Sequence, residues 1–234
     1  SLAILEAELY DDDSFLRQLR DAAASLRVGA PYKLASVVTP VIRPPGIELS
    51  RGLKELEEGQ EWLLEPRMVN GNPCLWTPGI RMGVDSSSWY RHTECFGPVL
   101  GLMRACDFED GLRLQNDSRF GLTGGLQSLD LREIRQWRER VEVGNAYINR
   151  PITGAIVQRQ PFGGWKRSAI GPGAKAGGPN YVLQLARWSE VSLPRAGKEG
   201  ACSELAEEFC RILSPATERI RAAAASYAKW WSEE

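Results

Sequence analysis

Apolar positions follow two different spacings near the start of the chain, and these predict a strand followed by a helix. The segment from Leu2 to Tyr10 begins with an uninterrupted apolar run, which is typical of a buried strand. After Ser14, a predicted N-cap, apolar residues recur every three or four positions until about Gly29. These residues are Phe15, Leu19, Ala22, Ala23 and Leu26.

Strand and helix signals continue to alternate beyond this opening. Asp107 with Asp110 predicts a helix that reaches about Asp117, and Asp130 with Glu133 predicts another. One face of that second helix is apolar, with Leu131, Ile134, Trp137 and Val141. Extended segments are predicted at 37–42, 74–78, 99–103, 147–149 and 181–188, and a solvated helix at 53–59. This alternation predicts an α/β fold with some parallel strand pairing.

The pattern changes after Pro194. Apolar residues there recur at helical spacing, and Ser214 followed by Pro215 is typical of a helix start. The sequence therefore predicts two parts, a main region over 1–193 and a helical tail or linker over 194–234.

Composition limits the classes of partner. The 234 residues are 43% hydrophobic and 25% charged with a net charge of −1, so no basic excess favours binding to nucleic acid. No apolar run approaches the ~20 residues of a membrane span, so no transmembrane segment is expected. Five cysteines without a Cys-x-x-Cys pair, and one histidine, His92, favour neither a disulfide framework nor a metal site. These features favour a reducing, cytoplasmic setting.

The segment 161–181 is rich in glycine and proline. Gly171 to Gly177 superficially resembles a dinucleotide-binding loop, but the spacing is one residue too long and no helix is predicted to follow it. Two interpretations remain open from the residues. The segment is either a rigid connector or a loop whose backbone N–H groups bind an anion.

The segment around Cys95 offers a second candidate site. Cys95 lies close to His92 in sequence, but nucleophile and base are normally distant in sequence, so a small buried hydrophobe is the favoured interpretation. Glu94 precedes an aromatic residue and a Gly-Pro turn, where its carboxylate could accept hydrogen bonds from sugar hydroxyls. A surface carboxylate or helix cap is the alternative.

Several motifs together resemble the aldehyde dehydrogenase superfamily, over about residues 1–193. They are Glu94-Cys-Phe-Gly-Pro-Val99, Phe120-Gly-Leu-Thr123, Val143-Gly-Asn-Ala-Tyr-Ile-Asn-Arg150 and Gln160-Pro-Phe-Gly-Gly164. Their order is similar to the C-terminal part of the catalytic region. Thr153-Gly-Ala-Ile-Val157 and the segment Gly171 to Tyr181 are similar to the 1-pyrroline-5-carboxylate dehydrogenase branch, as found in bifunctional bacterial proline utilization proteins.

The resemblance implies roles for five residues. Glu94 matches the glutamate that binds the nicotinamide ribose of NAD, and Phe96 matches the aromatic residue beside the nicotinamide. Gly154 and Ala155 match the loop whose amides bind the α-carboxylate of glutamate γ-semialdehyde. Phe162 matches the aromatic residue that lines the aliphatic part of the same pocket.

The resemblance also implies what this chain does not contain. The family's nucleophilic cysteine, its general base and its Rossmann domain precede the segment that corresponds to Ser1, and none of the five cysteines aligns with the nucleophile. The chain by itself is therefore expected to hold no catalytic residue and to be inactive. The parent enzyme is expected to oxidise the semialdehyde to glutamate with NAD, and a proline dehydrogenase domain is possible upstream.

The same resemblance implies a homo-oligomer, formed through a hairpin that contains the 181–188 strand. Two alternatives remain open for function. The chain could act as a non-catalytic assembly module, or it could belong to an aldehyde dehydrogenase for a different acidic aldehyde.

Overall fold

A computed structural model describes residues 1–154, 159–170, 173–187 and 189. The strands are β1 (Leu2–Glu6), β2 (Glu61–Leu64), β3 (Met68–Val69), β4 (Asn72–Trp76), β5 (Gly79–Met82), β6 (Val99–Ala105), β7 (Phe120–Gly121), β8 (Thr123–Leu126), β9 (Asn145–Ile148) and β10 (Trp165–Lys166). The helices are α1 (Ala7–Tyr10), α2 (Asp13–Ala24), α3 (Ile47–Lys54), α4 (Trp89–His92), α5 (Phe108–Asn116) and α6 (Leu131–Arg140). A 3₁₀ helix spans Val182–Leu185.

The main sheet has the strand order β1-β6-β5-β2. Strand β6 pairs in parallel with both β1 and β5, while β2 is antiparallel to β5. Since Leu2 pairs with Gly101 and Gly79 pairs with Val99, the parallel strands all begin at one edge of the sheet. The predicted parallel pairing is confirmed, and the turn that carries Glu94 and Phe96 enters β6 at this edge.

Successive residues of β6 point to opposite faces of the sheet, as strand geometry requires. Val99, Met103 and Ala105 join one buried cluster with residues such as Leu53 and Trp76. Leu102 joins a second cluster on the other face with Leu16, Ile80 and Met82. The central strand is therefore buried on both sides, which explains its continuous apolar sequence.

A smaller cluster lies beside the parallel pair β8–β9. It contains Leu112 of α5 and Trp137 and Val141 of the α6 end. Trp137 is 1% exposed, and its indole N–H donates to Gln115 at 2.7 Å. The predicted apolar face of α6 is thus confirmed at Trp137 and Val141, but Leu131 is 75% exposed.

Both acidic pairs lie at helix starts, but they act differently. Asp107 accepts from the amide of Asp110 at 2.8 Å, and Asp110 accepts from the amide of Cys106 at 3.0 Å, so this pair caps α5 as predicted. Asp130 caps α6 through the amide of Arg132. Glu133 instead accepts from the hydroxyl of Ser128, outside the helix.

Three elements begin or end at residues other than those predicted. Helix α2 is capped by Asp12 rather than Ser14, and it ends at Ala24, before Leu26. The apolar run after β1 turns into α1 instead of extending the strand. The charged segment 53–59 overlaps only the end of a helix that lies mostly upstream, α3.

Two predicted strands do not form among the described residues. The 37–42 segment contributes only an isolated bridge between Val28 and Val38. The predicted 181–188 strand is wrong over Val182–Leu185, which is 3₁₀. No strand of the described residues pairs with this segment, and the turn that precedes it is closed locally by the bond from Tyr181 N to Gly178 O. Trp188 lies outside the described residues.

Residues Ser1–Leu185 belong to one compact unit, and Ala186–Glu234 to a second that lies almost wholly outside the described residues. The predicted boundary at 193 and the helical tail therefore stay predictions. Within the described part of the chain, no helix is long and apolar enough to cross a membrane.

Candidate functional site

Glu94 and Phe96 project from the turn between α4 and β6. Glu94 is exposed and Phe96 is 77% exposed, whereas Cys95 between them is 8% exposed. Cys95 faces inward and its two neighbours face outward, so the two predicted cofactor-binding side chains lie on the exposed side of the turn. The Glu94 carboxylate has no hydrogen-bond partner among the described residues.

Ser1 lies beside this turn. Burial lowers the pKa of its amine, and the negative charge of Glu94 partly opposes that effect. The carbonyl of Ser1 accepts from the amide of Gly101 at 3.0 Å, which fixes it on β6. The beginning of β1 and the Glu94 turn therefore share one small region at the edge of the sheet.

The side chains of Cys95 and His92 are hydrogen-bonded to different backbone carbonyls. Burial raises the pKa of the Cys95 thiol, although the Ser1 amine and Arg81 lower it in part. Its sulfur lies 3.7 Å from the carbonyl oxygen of Glu48, to which it donates. The ring of His92 instead lies 2.9 Å from Ser86 O. This arrangement favours a packing role for Cys95.

A polar network lies beneath the turn, and the sequence patterns did not indicate it. Arg81 of β5 is 1% exposed, and the guanidinium donates to the carbonyls of Gly52 and Glu55 and to the side chain of Gln60. Tyr90 of α4 stacks on the same guanidinium, 4.2 Å from the ring centroid.

Glu57 connects this network to α4. Its carboxylate accepts from the amides of Trp89 at 2.9 Å and Tyr90 at 3.3 Å. Burial raises the pKa of this carboxyl, but these two bonds, a bond from Gln60 and the charge of Arg51 outweigh burial, so the net pKa is lowered. The ionised form therefore fixes the helix that leads into the Glu94 turn.

Gly154 lies in exposed backbone after β9. Its φ of +98° is a conformation that favours glycine, and nothing lies within 4 Å of a Cβ built there. Its carbonyl accepts from the hydroxyl of Tyr147 at 3.0 Å. Ala155, the other predicted anchor residue, lies outside the described residues.

Phe162 is held by its backbone. Its N–H and C=O form a reciprocal pair with Ala176, both at 2.9 Å. Asn145 of β9, 6% exposed, fixes the flanking residues by donating to Pro161 O at 2.9 Å and accepting from Gly163 N at 3.0 Å. The half-buried Phe162 side chain thus belongs to a loop whose backbone is hydrogen-bonded to both Ala176 and Asn145.

The glycines in this region permit close backbone approach. A Cβ at Gly144 would lie 1.9 Å from Gly163 O, and a Cβ at Gly164 would lie 1.9 Å from Ser168 O. The Lys175 ammonium donates to Gly144 O across the same contact. These contacts favour a packed connector for the part of the glycine-rich segment that the structure describes, while Gly171 lies outside it.

The two halves of the predicted site are built on different elements. Glu94 and Phe96 belong to the main sheet, whereas Gly154 and Phe162 follow the β8–β9 pair. Among the described residues no hydrogen bond joins the two halves, and no group of three or more His, Cys, Asp or Glu residues is placed to hold a metal ion.

The model of the aldehyde dehydrogenase family matches residues 1–191. The chain belongs to the aldehyde dehydrogenase family. The predicted resemblance and fold class are confirmed, since this α/β structure is also similar to solved members of the family.

Curated relatives include the 1-pyrroline-5-carboxylate dehydrogenases of Geobacillus sp. (strain WCH70) and Bacillus subtilis (strain 168). Each is 33% identical over 189 residues, which is 78% of this chain and 35% of the relative. The chain therefore spans about a third of the length of these family members.

Solved structures include Proline Utilization A from Corynebacterium freiburgense, 49% identical with a TM-score of 0.79, covering 96% of this chain and 22% of that one. Another is the Thermus 1-pyrroline-5-carboxylate dehydrogenase with bound NAD, 31% identical with a TM-score of 0.67, covering 78% and 35%. The first match covers more of the chain than the 1–191 that the family model spans.

Proposed function

We propose that this chain is the C-terminal part of the catalytic region of an NAD-dependent dehydrogenase that oxidises L-glutamate γ-semialdehyde to glutamate. The parent is proposed to be a bifunctional, cytoplasmic protein of proline catabolism. The names of the relatives support this reaction, and the 49% identity to a Proline Utilization A supports this type of parent. The observation that carries the proposal is the exposed Glu94 and Phe96 pair beside Ser1.

The side chains of this pair fit a nicotinamide riboside. A carboxylate without a protein partner can accept two hydroxyl hydrogen bonds from a ribose, and charge-assisted bonds of this kind are strong. An exposed aromatic ring two residues away offers a flat apolar surface for the nicotinamide. When bound, NAD supplies the acceptor for a hydride from the substrate carbon.

The amides near Gly154 are proposed to bind the substrate α-carboxylate. Gly154 is exposed and its positive φ turns the backbone, and backbone N–H groups in such turns can bind an anion. Such donors recognise a carboxylate without a basic side chain, and Phe162 would contact the short aliphatic part. The role of Ala155 stays a prediction from the family resemblance.

The position of Ser1 fits the proposed source of the nucleophile. In the family resemblance, the reactive cysteine comes shortly before the residue that corresponds to Ser1. Because the Ser1 carbonyl accepts from Gly101 N, residues joined to the Ser1 amine would enter near the start of β6, which follows the Glu94 turn. The chain alone is accordingly proposed to be inactive.

The proposal is tested on the parent protein by following NADH formation from glutamate semialdehyde. Glu94→Gln should raise the KM for NAD about tenfold, because a charged hydrogen-bond acceptor contributes roughly 1.5–3 kcal/mol. Glu139→Gln, an exposed glutamate of α6, is the matched control and should leave KM unchanged. A parent that does not oxidise the semialdehyde with NAD would refute the proposal.

A second substitution addresses the substrate half. Gly154→Pro should raise the KM for the semialdehyde far more than the KM for NAD, because proline cannot adopt a φ of +98°. Equal effects on both constants would contradict the substrate assignment. A panel of other acidic aldehydes tests the alternative family member, which would prefer one of them over the semialdehyde.

Assembly is a second proposed role for this chain. Tyr181, Val182 and Leu185 are 39%, 70% and 75% exposed, and a cluster of exposed apolar side chains favours a protein interface. Light scattering should show an oligomer that Val182→Lys with Leu185→Lys dissociates. A monomer at every accessible concentration would exclude this role for 181–188.

A further inference from the structure

A buried guanidinium lies beneath the turn that carries Glu94 and Phe96. Arg81 occupies the middle of β5 and forms no ion pair within the described residues. The guanidinium donates to the carbonyls of Gly52 and Glu55, the latter at 3.0 Å, and to the amide oxygen of Gln60 at 3.1 Å. Arg81 thus ties the end of α3 and the loop before β2 to the middle of the sheet.

Two aromatic rings enclose the same guanidinium. Its centre lies 5.0 Å from the ring centroid of Trp62 and 4.2 Å from that of Tyr90. The hydroxyl of Tyr90 then donates to Val99 O at 2.9 Å. Since Val99 is the first residue of β6, Tyr90 connects Arg81 to the end of the cofactor-binding turn.

The middle of the turn contacts Gly52, a residue whose carbonyl accepts a hydrogen bond from Arg81. A Cβ placed on Gly52 would lie 2.8 Å from the Cys95 sulfur, so the two residues are in close contact. The carbonyl of Gly52 is one of the acceptors of Arg81. Displacing Gly52 would therefore displace Cys95, whose neighbours on both sides are Glu94 and Phe96.

Stability alone does not explain an arginine at this position. Desolvating a guanidinium is costly, and apolar residues of similar volume often replace buried charged groups without loss of stability. Trp62 and Tyr90, which enclose Arg81, pack in an apolar cluster, so an apolar side chain would have suitable neighbours at this position. The Nε of Arg81 also has no hydrogen-bond partner among the described residues, so the burial is not fully compensated.

We propose that Arg81 is a positioning residue for the cofactor-binding turn. It orients Tyr90 and Gly52, and these fix Val99 and Cys95, so that the side chains of Glu94 and Phe96 project together. The identity of the ligand rests on the proposed function, whereas the mechanical coupling between Arg81 and the turn does not.

The coupling is tested on this chain by hydrogen exchange of the 93–99 peptide. Arg81→Met should speed exchange of the Gly97 and Val99 amides about tenfold or more, because both amides are hydrogen-bonded within this turn. Arg104→Met is the matched control. Arg104 lies near the other end of β6 and pairs with Asp11 at 2.6 Å, so its loss should leave the peptide unchanged.

A milder substitution covers the case in which Arg81→Met does not fold. Tyr90→Phe removes only the bond to Val99 O and keeps the ring on the guanidinium, so a smaller acceleration is expected at the same peptide. Unchanged exchange at 93–99 in the folded variants would overturn the proposal.

The consequence for the ligand is tested on the parent enzyme. Arg81→Met should raise the KM for NAD about tenfold with little change in the KM for the semialdehyde, since misplacing a binding group by a fraction of an ångström weakens its bonds. Arg81→Lys keeps the charge and should restore part of the affinity. Equal changes in both constants would show general damage and overturn the positioning role.

The two tests separate the inference from the proposed function. If the wild-type parent shows no NAD-dependent oxidation, the proposed function fails and the cofactor part of the inference fails with it. The exchange result would then still decide whether Arg81 holds the turn.

Discussion

Asn145 offers a direct way to loosen the proposed substrate half of the site without changing an exposed residue. Its amide donates to Pro161 O at 2.9 Å and accepts from Gly163 N at 3.0 Å, on both sides of Phe162. Asn145→Ala removes both bonds while leaving the Phe162 pair with Ala176 in place. The loop should therefore remain attached but become mobile around Phe162.

The cost of this change follows from burial. Asn145 is 6% exposed, so the backbone groups of Pro161 and Gly163 would lose partners where water replaces them poorly. A buried polar group without a partner costs about 1–3 kcal/mol, so the loss of both partners in Asn145→Ala should lower the free energy of unfolding by about 2–6 kcal/mol.

Asn116→Ala is the matched control. Asn116 makes the same pair of bonds, to Arg140 O at 2.8 Å and from Glu142 N at 2.9 Å, at a less buried position. Water can reach these groups, so the expected cost is about 1–2 kcal/mol. Urea unfolding of this chain measures both variants. In the parent, Asn145→Ala should also raise the KM for the semialdehyde, and Asn116→Ala should not. Equal stability losses, together with an unchanged KM, would refute the reasoning.

Three further predictions concern packing and charge. Gly144→Ala places a Cβ 1.9 Å from Gly163 O, so circular dichroism melts should show a larger drop in Tm than for Gly125→Ala, whose Cβ comes within 3 Å only of a side-chain atom, Ile152 Cγ2. Trp137→Ala should lower the free energy of unfolding in urea by about 3–5 kcal/mol, because it empties a position that is 1% exposed. The lowered pKa of Glu57 stabilises the fold above its ordinary value of 4.5, and this contribution is lost as pH falls through the folded pKa. Between about pH 5 and 3, Glu57→Gln should therefore lose less stability than the wild type; equal losses would contradict this role.

Local signals in the sequence predicted the elements that local interactions stabilise. The cap of α5 involves Asp107 and Asp110 within one helical turn, so the pattern was sufficient to place it. Helix α3 was missed because its start, capped by Gly46, makes no side-chain cap bond. Strand β5 was missed because Arg81 interrupts the apolar character of a strand of only four residues, and only the tertiary structure gives that arginine its partners.

The candidate site also contains residues that a local motif indicates and residues whose partners are distant in sequence. Glu94 and Phe96 were proposed as candidates because their motif is continuous in sequence, and the structure places both side chains outward. The hydrogen-bonding roles of Asn145 and Arg81 were not predicted because their partners lie 16 to 29 residues away in sequence. Hydrophobic periodicity gives no information about contacts at that separation. The 181–188 strand was predicted from residue types that favour extended backbone. A strand also requires a neighbouring strand to pair with, and the described part of the chain provides none for this segment.

Arg81 and Asn145 also show how the two halves of the site are held in similar ways. Each is a buried polar side chain on a strand, and each fixes backbone beside the residues predicted to bind ligand. A loop that must keep a ligand-binding side chain exposed cannot be fixed by burying that side chain. Its position must come from its backbone, and buried donors and acceptors fix backbone in a way that apolar packing does not. Both polar residues should therefore affect ligand affinity more strongly than their distance from the ligand suggests, each for its own ligand.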